Sequence, residues 1–123
     1  MIIFLDDNNY RTERFRSAVP RAYTVETAQA TIDLLKKCQE EKETVEMLFL
    51  DHDLGNETFV DSSRPDTGME VVRWIGDNKP EIDQIVVHSC NYPAAASMEK
   101  ALKNLGYNVL RIPFPSLKLQ SIV

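Results

Sequence analysis

Residues 47–53 read Met-Leu-Phe-Leu-Asp-His-Asp, an uninterrupted apolar run that ends at three ionisable residues. Four apolar residues without polar alternation predict a strand that is covered on both faces, as in a parallel sheet. Two further short apolar runs also stop abruptly at polar residues, Ile2–Leu5 before Asp6 and residues 85–87 before His88. Three such runs in one chain favour a buried parallel sheet.

Helical patterns separate these runs. Besides the three strong runs, we expect weaker strands at residues 22–25 and 108–112, and helices at residues 11–19, 26–39, 68–78, 94–105 and, as a short tail, 116–123. Thr24 is the expected N-cap of the second helix. The alternation predicts a single α/β domain over residues 1–123, with a five-stranded parallel sheet between two helical layers. Residues 55–66 carry no pattern and are expected to form a surface loop.

The composition limits the function. The chain has 14 basic and 19 acidic side chains, a net charge of −5 and a pI of about 5.0. This balance argues against binding to duplex DNA or to an anionic membrane. Cys38 and Cys90 lack metal-ligand spacing, and the apolar residues 1–5 are too few for a signal peptide. We therefore expect a cytoplasmic protein, and the sequence identifies no protein partner.

Polar residues gather at the predicted strand ends, where open α/β sheets bind ligands. They are Asp6, Asp7, Asp51, His52, Asp53, His88, Ser89, Asn91 and Arg111. Converging carboxylates repel one another unless a cation neutralises them, and oxygen ligands suit Mg²⁺, Mn²⁺ or Ca²⁺. The alternative is that these aspartates cap helices, as Asp7 could do after the first strand.

His52 and His88 are the only histidines, and both fall on this edge. Such a pair suits general acid-base catalysis on a phosphodiester, although each is also compatible with metal ligation or a structural hydrogen bond. Neighbouring carboxylates raise the pKa of a histidine while a metal opposes this, so we expect neutral and charged forms to coexist near pH 7.

Three further residues offer groups for phosphate oxygens. Ser89 supplies a hydroxyl, Asn91 an amide and Arg111 a guanidinium. Each also has a structural alternative. Asn91 could begin a turn, Ser89 could cap the next helix, and Arg111 could be an exposed charge at a strand end.

The chain resembles a receiver domain of response regulators. The matching positions are the acidic pair Asp6-Asp7, a phosphoacceptor-like Asp51, Thr67-Gly68, the hydroxyl of Ser89 and Pro113-Phe114. The resemblance implies strand order 2-1-3-4-5, the flavodoxin-like order. Ile112 stands where receivers have an invariant lysine. Receivers also carry a switch aromatic residue on the fifth strand, and this chain has Val109 near that position. Both departures count against a phosphorylation switch.

The motifs are closer to the cyclic-phosphate processing receiver domains. They are residues 5–7, 50–55, 67–68 and 88–91, with Met98 downstream. This resemblance implies action on cyclic phosphates of nucleotides or RNA ends.

Residues and resemblance together lead to the hypothesis of a metal-dependent phosphoesterase. Its parts are Asp6, Asp7 and Asp51 for Mg²⁺ (or Mn²⁺), His52 and His88 as base and acid, and Ser89, Asn91 and Arg111 for phosphate. Asp53 is expected to orient one of the two imidazoles. The favoured one is that of His88, which lies across the sheet edge from His52.

Three other functions remain open. Asp51 could accept a phosphoryl group in signalling, the site could bind a cyclic nucleotide without turnover, or the domain could only assemble with other proteins. Trp74, Met98 and Phe114 are predicted to be core or core-covering residues.

Overall fold

The computed structural model describes residues 1–55 and 59–122. Within them the strands are β1 (Ile2–Leu5), β2 (Tyr23–Val25), β3 (Val45–Leu50), β4 (Ile82–Val87) and β5 (Val109–Arg111). These five parallel strands form one sheet in the order β2-β1-β3-β4-β5, which confirms the predicted order. The strands β3 and β4 begin earlier than predicted. The first half of each strand contains exposed polar residues, which interrupt the apolar pattern in the sequence.

Four helices and two 3₁₀ turns surround the sheet in the part of the chain that the structure describes. The helices are α1 (Asn9–Ala18), α2 (Ala28–Glu40), α3 (Gly68–Asn78) and α4 (Tyr92–Asn104), and the turns are Phe114–Ser116 and Leu119–Ser121. The expected tail helix is therefore wrong: two short turns replace it, and Val123 lies outside the described residues. Of the predicted loop at residues 55–66, residues 56–58 also lie outside them.

The prediction of Thr24 as a helix cap is wrong as well. Thr24 lies within β2, and Thr27 caps α2 by accepting a hydrogen bond from the backbone N–H of Ala30 at 3.0 Å. The helix starts two residues later than the apolar periodicity indicated, because the cap side chain rather than the periodicity determines where it begins.

The sheet is covered on both faces. Alternate residues of β1 point to opposite sides: Ile3 and Leu5 pack with α2, α3 and α4, whereas Ile2 and Phe4 pack with α1 and the C-terminal turns. Met98 and Phe114 are buried and Trp74 packs against the core at its edge, as predicted. Within the described residues, no helix is long and apolar enough to cross a membrane.

Candidate metal centre

The sheet register aligns the polar residues that follow three neighbouring strands. Leu5 of β1 pairs with Leu50 of β3, and Leu50 pairs with Val87 of β4. The backbone N–H of Asp51 donates to the carbonyl of Leu5 at 3.2 Å, and that of His88 donates to the carbonyl of Leu50 at 3.0 Å. The residues after these strand ends therefore lie level with one another.

Three carboxylates meet at this edge. Asp6, Asp7 and Asp51 each bring one oxygen to within 4.8 Å of the other two. Asp6 and Asp51 are buried and Asp7 is half-buried. This is the set that the sequence analysis assigned to the metal.

One oxygen of this cluster lacks a partner. Asp51 Oδ1 accepts a hydrogen bond from the backbone N–H of His52 at 2.9 Å. Asp51 Oδ2 is buried and has no hydrogen-bond partner among the described residues. Buried polar atoms are nearly always satisfied, so this oxygen requires an explanation. An all-oxygen cluster with an unsatisfied carboxylate fits a hard divalent cation such as Mg²⁺.

The electrostatics of Asp51 agree with that fit. Burial, and after it the adjacent charge of Asp6, raise the pKa of Asp51 from an ordinary value of 3.8 to about 8, although the charge of Arg11 opposes them. Without a cation, the carboxyl group therefore holds a proton that an ordinary aspartate has lost at neutral pH. A bound divalent cation would favour the ionised form instead.

Arg11 is a component of this cluster that the sequence analysis missed. Its Nε donates to Asp6 Oδ2 at 2.7 Å and its Nη2 donates to Asp6 Oδ1 at 3.0 Å. The same Nη2 lies 3.7 Å from Asp51 Oδ2. The hydrogen bond to Asp6 is the main cause that raises the pKa of Arg11. An arginine in the first turn of the helix after the acidic pair was the available signal.

The start of α1 explains how Arg11 reaches these carboxylates. Asn8 caps the helix, because its side chain accepts from the backbone N–H of Arg11 at 2.9 Å. The backbone N–H of Asn8 in turn donates to Asp6 Oδ1 at 2.9 Å. Asn8 therefore takes the capping role considered for Asp7, and the side chain of Asp7 is not required as a cap.

His52 lies in a hydrogen-bonded chain of three side chains. Its ring is fully buried, with Nδ1 2.8 Å from Asp53 Oδ1 and Nε2 2.8 Å from Ser62 Oγ. An ionised Asp53 can only accept, so Nδ1 carries a proton and, in the neutral ring, Nε2 accepts from the hydroxyl of Ser62. The favoured prediction, that Asp53 orients His88, is wrong because the adjacent ring of His52 takes this carboxylate.

Asp53 also holds the loop that follows it. Its oxygens accept from the backbone N–H groups of Phe59 at 2.8 Å and Val60 at 3.1 Å, and from Asn91 Nδ2 at 3.1 Å. Burial alone would raise the pKa of Asp53, but the hydrogen bonds, with that from His52 the strongest, hold it below its ordinary value. These bonds hold residues 59 and 60 against Asp53, and two residues later Ser62, which sequence reasoning did not select, reaches His52.

His88 lies beside Asp6 and below the surface of the protein. Its Nε2 lies 3.1 Å from the carbonyl oxygen of Leu5, which can only accept, so Nε2 carries the proton. Nδ1 lies 3.8 Å from Asp6 Oδ2, and the ring stacks on Phe4 with centroids 4.8 Å apart.

Burial lowers the pKa of His88 to about 4, and the charge of Asp6 opposes this only in part. The expectation of coexisting neutral and charged forms near pH 7 is therefore wrong for His88. Complete removal from water penalises the imidazolium more than one carboxylate favours it.

The three predicted phosphate ligands have different surroundings. Ser89 Oγ accepts from the backbone N–H of Asn91 at 3.1 Å. Asn91 caps α4 by accepting from the backbone N–H of Ala94 at 3.3 Å, so Asn91 rather than Ser89 is the cap. Arg111 is exposed, and its Nε donates to Glu99 at 3.1 Å.

Ile112, at the position of the receiver lysine, is half-buried and packs against the core beside α1. The fold and the acidic cluster define a receiver-like domain with carboxylates that could hold a cation. At the position of the receiver lysine on the fifth strand, this domain has Ile112 instead of an ammonium group.

The chain belongs to the cyclic-phosphate processing receiver domain family, whose model matches residues 1–104. This match confirms the resemblance drawn from the motifs. No curated protein matches the chain.

Proposed function

We propose that the protein is a metal-dependent phosphoesterase that opens a cyclic phosphate of a nucleotide or an RNA end. The proposal is carried by the buried Oδ2 of Asp51, which lies in a cluster of three carboxylates and accepts no hydrogen bond from any residue that the structure describes. The substrate class comes from the family, whose name links it to cyclic-phosphate processing.

In this proposal Asp6, Asp7 and Asp51 hold Mg²⁺ or Mn²⁺. When bound, such a cation neutralises phosphate charge and lowers the pKa of water. The carboxylates supply the negative charge that attracts it, and the burial of Asp51 limits competition from bulk water.

We propose that His52 acts as a base through Ser62. The ring is fully buried and Ser62 is half-buried, so the hydroxyl is the part of this chain that a substrate or a water molecule meets first. As a water molecule attacks phosphorus, it gives a proton to Ser62 Oγ, and the hydroxyl passes its own proton to Nε2 of His52, while Asp53 stabilises the imidazolium that forms. The new P–O bond replaces one P–O bond of the ring, and the departing ring oxygen takes a proton from solvent. In catalytic triads, too, a carboxylate fixes the tautomer of the histidine that accepts a proton from a serine hydroxyl.

For His88 we propose a role that its neutral ring allows. An acid must carry a transferable proton, but the only proton on the neutral ring is directed at the carbonyl of Leu5. The acceptor Nδ1 beside Asp6 instead suits a second base or a nitrogen ligand for the cation. Ligation was one of the alternatives that the sequence left open.

Among the phosphate-binding candidates, Ser89 is best supported. Its Oγ accepts from Asn91, so its own hydroxyl proton can be donated to a phosphate oxygen. Asn91 contributes by holding Asp53. Arg111 would first have to leave Glu99, and the proposal gives it no step.

A turnover assay tests the proposal. The protein is incubated with 3′,5′-cyclic mononucleotides, cyclic dinucleotides and RNA ending in a 2′,3′-cyclic phosphate, with Mg²⁺, Mn²⁺ or EDTA. We expect ring opening that EDTA abolishes and that Asp51→Asn reduces by roughly 100-fold or more. Asp83→Asn, an exposed carboxylate on β4, is the matched control and should leave turnover unchanged.

Two other outcomes would replace the proposal. Binding of a cyclic nucleotide that raises the melting temperature of pure, folded protein without turnover would assign a binding function. Labelling of Asp51 by acetyl phosphate and Mg²⁺ without turnover would assign a signalling function, which the replacement of the receiver lysine by Ile112 makes unfavourable.

A further inference from the structure

The guanidinium of Arg11 lies against the two buried carboxylates of the cluster. It makes two hydrogen bonds to Asp6 and approaches Asp51 Oδ2 to 3.7 Å. These are oxygens that a divalent cation would also need. Arg11 and a metal ion are therefore competing cations for the same site.

The side chain of Arg11 is placed to change partner. Asp6 has no exposed side-chain surface, whereas the side chain of Arg11 is 33% exposed. The backbone of Arg11 is held by the cap at Asn8, so its long side chain can move without moving the helix. The bonds to Asp6 use two of the five N–H donors of a guanidinium, whose planar fork matches phosphate as well as carboxylate.

We infer that Arg11 is the phosphate-binding cation of this site, held on Asp6 and beside Asp51 in the metal-free protein and transferred to a phosphate oxygen when a divalent cation takes the carboxylates. The inference rests on the proposed function for its phosphate substrate. It gives Arg11 the role that the sequence analysis gave Arg111, which pairs with Glu99 instead.

The first measurement is metal affinity without substrate. Mn²⁺ binding is followed by electron paramagnetic resonance in the wild type, Arg11→Gln and Arg14→Gln. Arg14 lies on the same helix, is exposed and contacts Tyr10, so it controls for the loss of one charge. Because removal of Arg11 removes the competitor, we expect Mn²⁺ to bind Arg11→Gln about tenfold more tightly, with little change in Arg14→Gln.

The second measurement is the binding of inorganic phosphate at saturating Mg²⁺, by calorimetry. Arg11→Gln should bind phosphate about tenfold more weakly, because a charge-assisted hydrogen bond is lost, while Arg14→Gln should bind as the wild type does. The two changes for Arg11 have opposite signs. A residue that only stabilises the fold would not strengthen metal binding and weaken phosphate binding together.

Either of the two measurements can overturn the inference. Phosphate binding that is equal in Arg11→Gln and the wild type, or absent from the metal-loaded wild type, excludes a phosphate role. Mn²⁺ affinity that is unchanged or weaker in Arg11→Gln excludes competition. If Arg11→Gln does not fold by circular dichroism, Arg11→Lys is used, whose single ammonium lacks the fork and should give both changes at smaller size.

These measurements also separate the inference from the enzyme proposal, because neither requires turnover. Opposite changes in a protein that opens no cyclic phosphate would support Arg11 and reject the phosphoesterase. Turnover with unchanged phosphate binding in Arg11→Gln would support the phosphoesterase and reject the phosphate-binding role of Arg11.

Discussion

A Cβ atom on Gly68 would lie 1.8 Å from the carbonyl oxygen of Asp51. The start of α3 therefore packs directly on the strand end that carries the central carboxylate of the cluster. The backbone N–H of Gly68 also donates to the carbonyl of His52 at 3.0 Å. A residue with no side chain is required here because backbone approaches backbone, and neither side can yield as a flexible side chain would.

The first prediction follows from this contact. Gly68→Ala must displace either α3 or the backbone of Asp51, so we expect a loss of about 2 kcal/mol or more in the free energy of unfolding and weaker Mn²⁺ binding. Urea denaturation and metal titration measure the two effects.

Gly76→Ala in the same helix is the matched control. Its added Cβ would meet Leu105 at 3.6 Å, an ordinary contact, so helix propensity should raise stability by about 0.5–1 kcal/mol. If Gly68→Ala were as stable as Gly76→Ala, the close packing of α3 on Asp51 would be contradicted.

The second prediction concerns the metal-free protein at alkaline pH. The folded-state pKa of Asp51, about 8, lies above its ordinary 3.8, so the folded state binds the proton more tightly. The associated stability is present below about pH 4 and is lost as the pH rises through about 8. In EDTA, we expect the free energy of unfolding to fall by about 1–2 kcal/mol between pH 6.5 and 8.

Asp51→Asn should remove most of this slope, because the amide does not titrate. Asp83→Asn should retain it, since Asp83 is exposed. Added Mg²⁺ should offset the loss at pH 8, because a cation that binds only the folded, ionised cluster stabilises it. A wild-type protein whose stability rises over this pH range would refute the assignment.

The third prediction concerns His88 at acid pH. Its folded-state pKa of about 4 lies below the ordinary 6.5, so its contribution to stability is present above pH 6.5 and is lost as the pH falls through about 4. In the wild type the titration of Asp51 opposes this slope. We therefore expect the slope to appear in Asp51→Asn and to shrink when His88→Phe is added, because phenylalanine does not titrate. Phenylalanine is chosen because it can keep the stacking on Phe4.

Urea denaturation at pH 4–6.5 compares the single and double variants. Equal slopes in Asp51→Asn and in the double variant would mean that His88 does not titrate as a buried neutral ring. The comparison cancels the other carboxylates, which both variants share.

The fourth prediction tests the chain from Asp53 through His52 to Ser62. If proton transfer runs through the hydroxyl, Ser62→Ala should lower kcat by roughly 100-fold without changing Mn²⁺ affinity, although the melting temperature should fall because buried Nε2 of His52 loses its donor. Ser63→Ala, the exposed neighbour, is the control and should leave kcat unchanged.

Non-additivity gives a second test of the same chain. His52→Gln and Ser62→Ala should each cost about as much as the double variant, because each interrupts one shared path. Fully additive losses would show that the two residues act independently.

The framework of this protein could be predicted from its apolar runs and their spacing. Uninterrupted apolar runs require cover on both faces, and such runs alternating with amphipathic helices leave the parallel sheet as the favoured arrangement. Because parallel strands end at one edge, Asp6, Asp51 and His88 could be placed together from their positions after β1, β3 and β4. These inferences depend on local pattern, which the sequence displays directly.

The tertiary structure decided which atoms meet. Arg11 reaches Asp6 because Asn8 begins α1 at one particular residue. Ser62 reaches His52 because Asp53 holds the backbone of Val60, in a stretch of sequence without periodicity. Such contacts depend on side-chain directions and loop closure, which leave no periodic signal in a sequence.

Burial decided the protonation of the site in the same way. The charge of Asp6 would raise the pKa of His88, yet packing on Phe4 and complete loss of solvent lower it. The sequence displayed the charges, but only the folded protein determines how much water surrounds them, and desolvation here outweighs the charge of the neighbouring carboxylate.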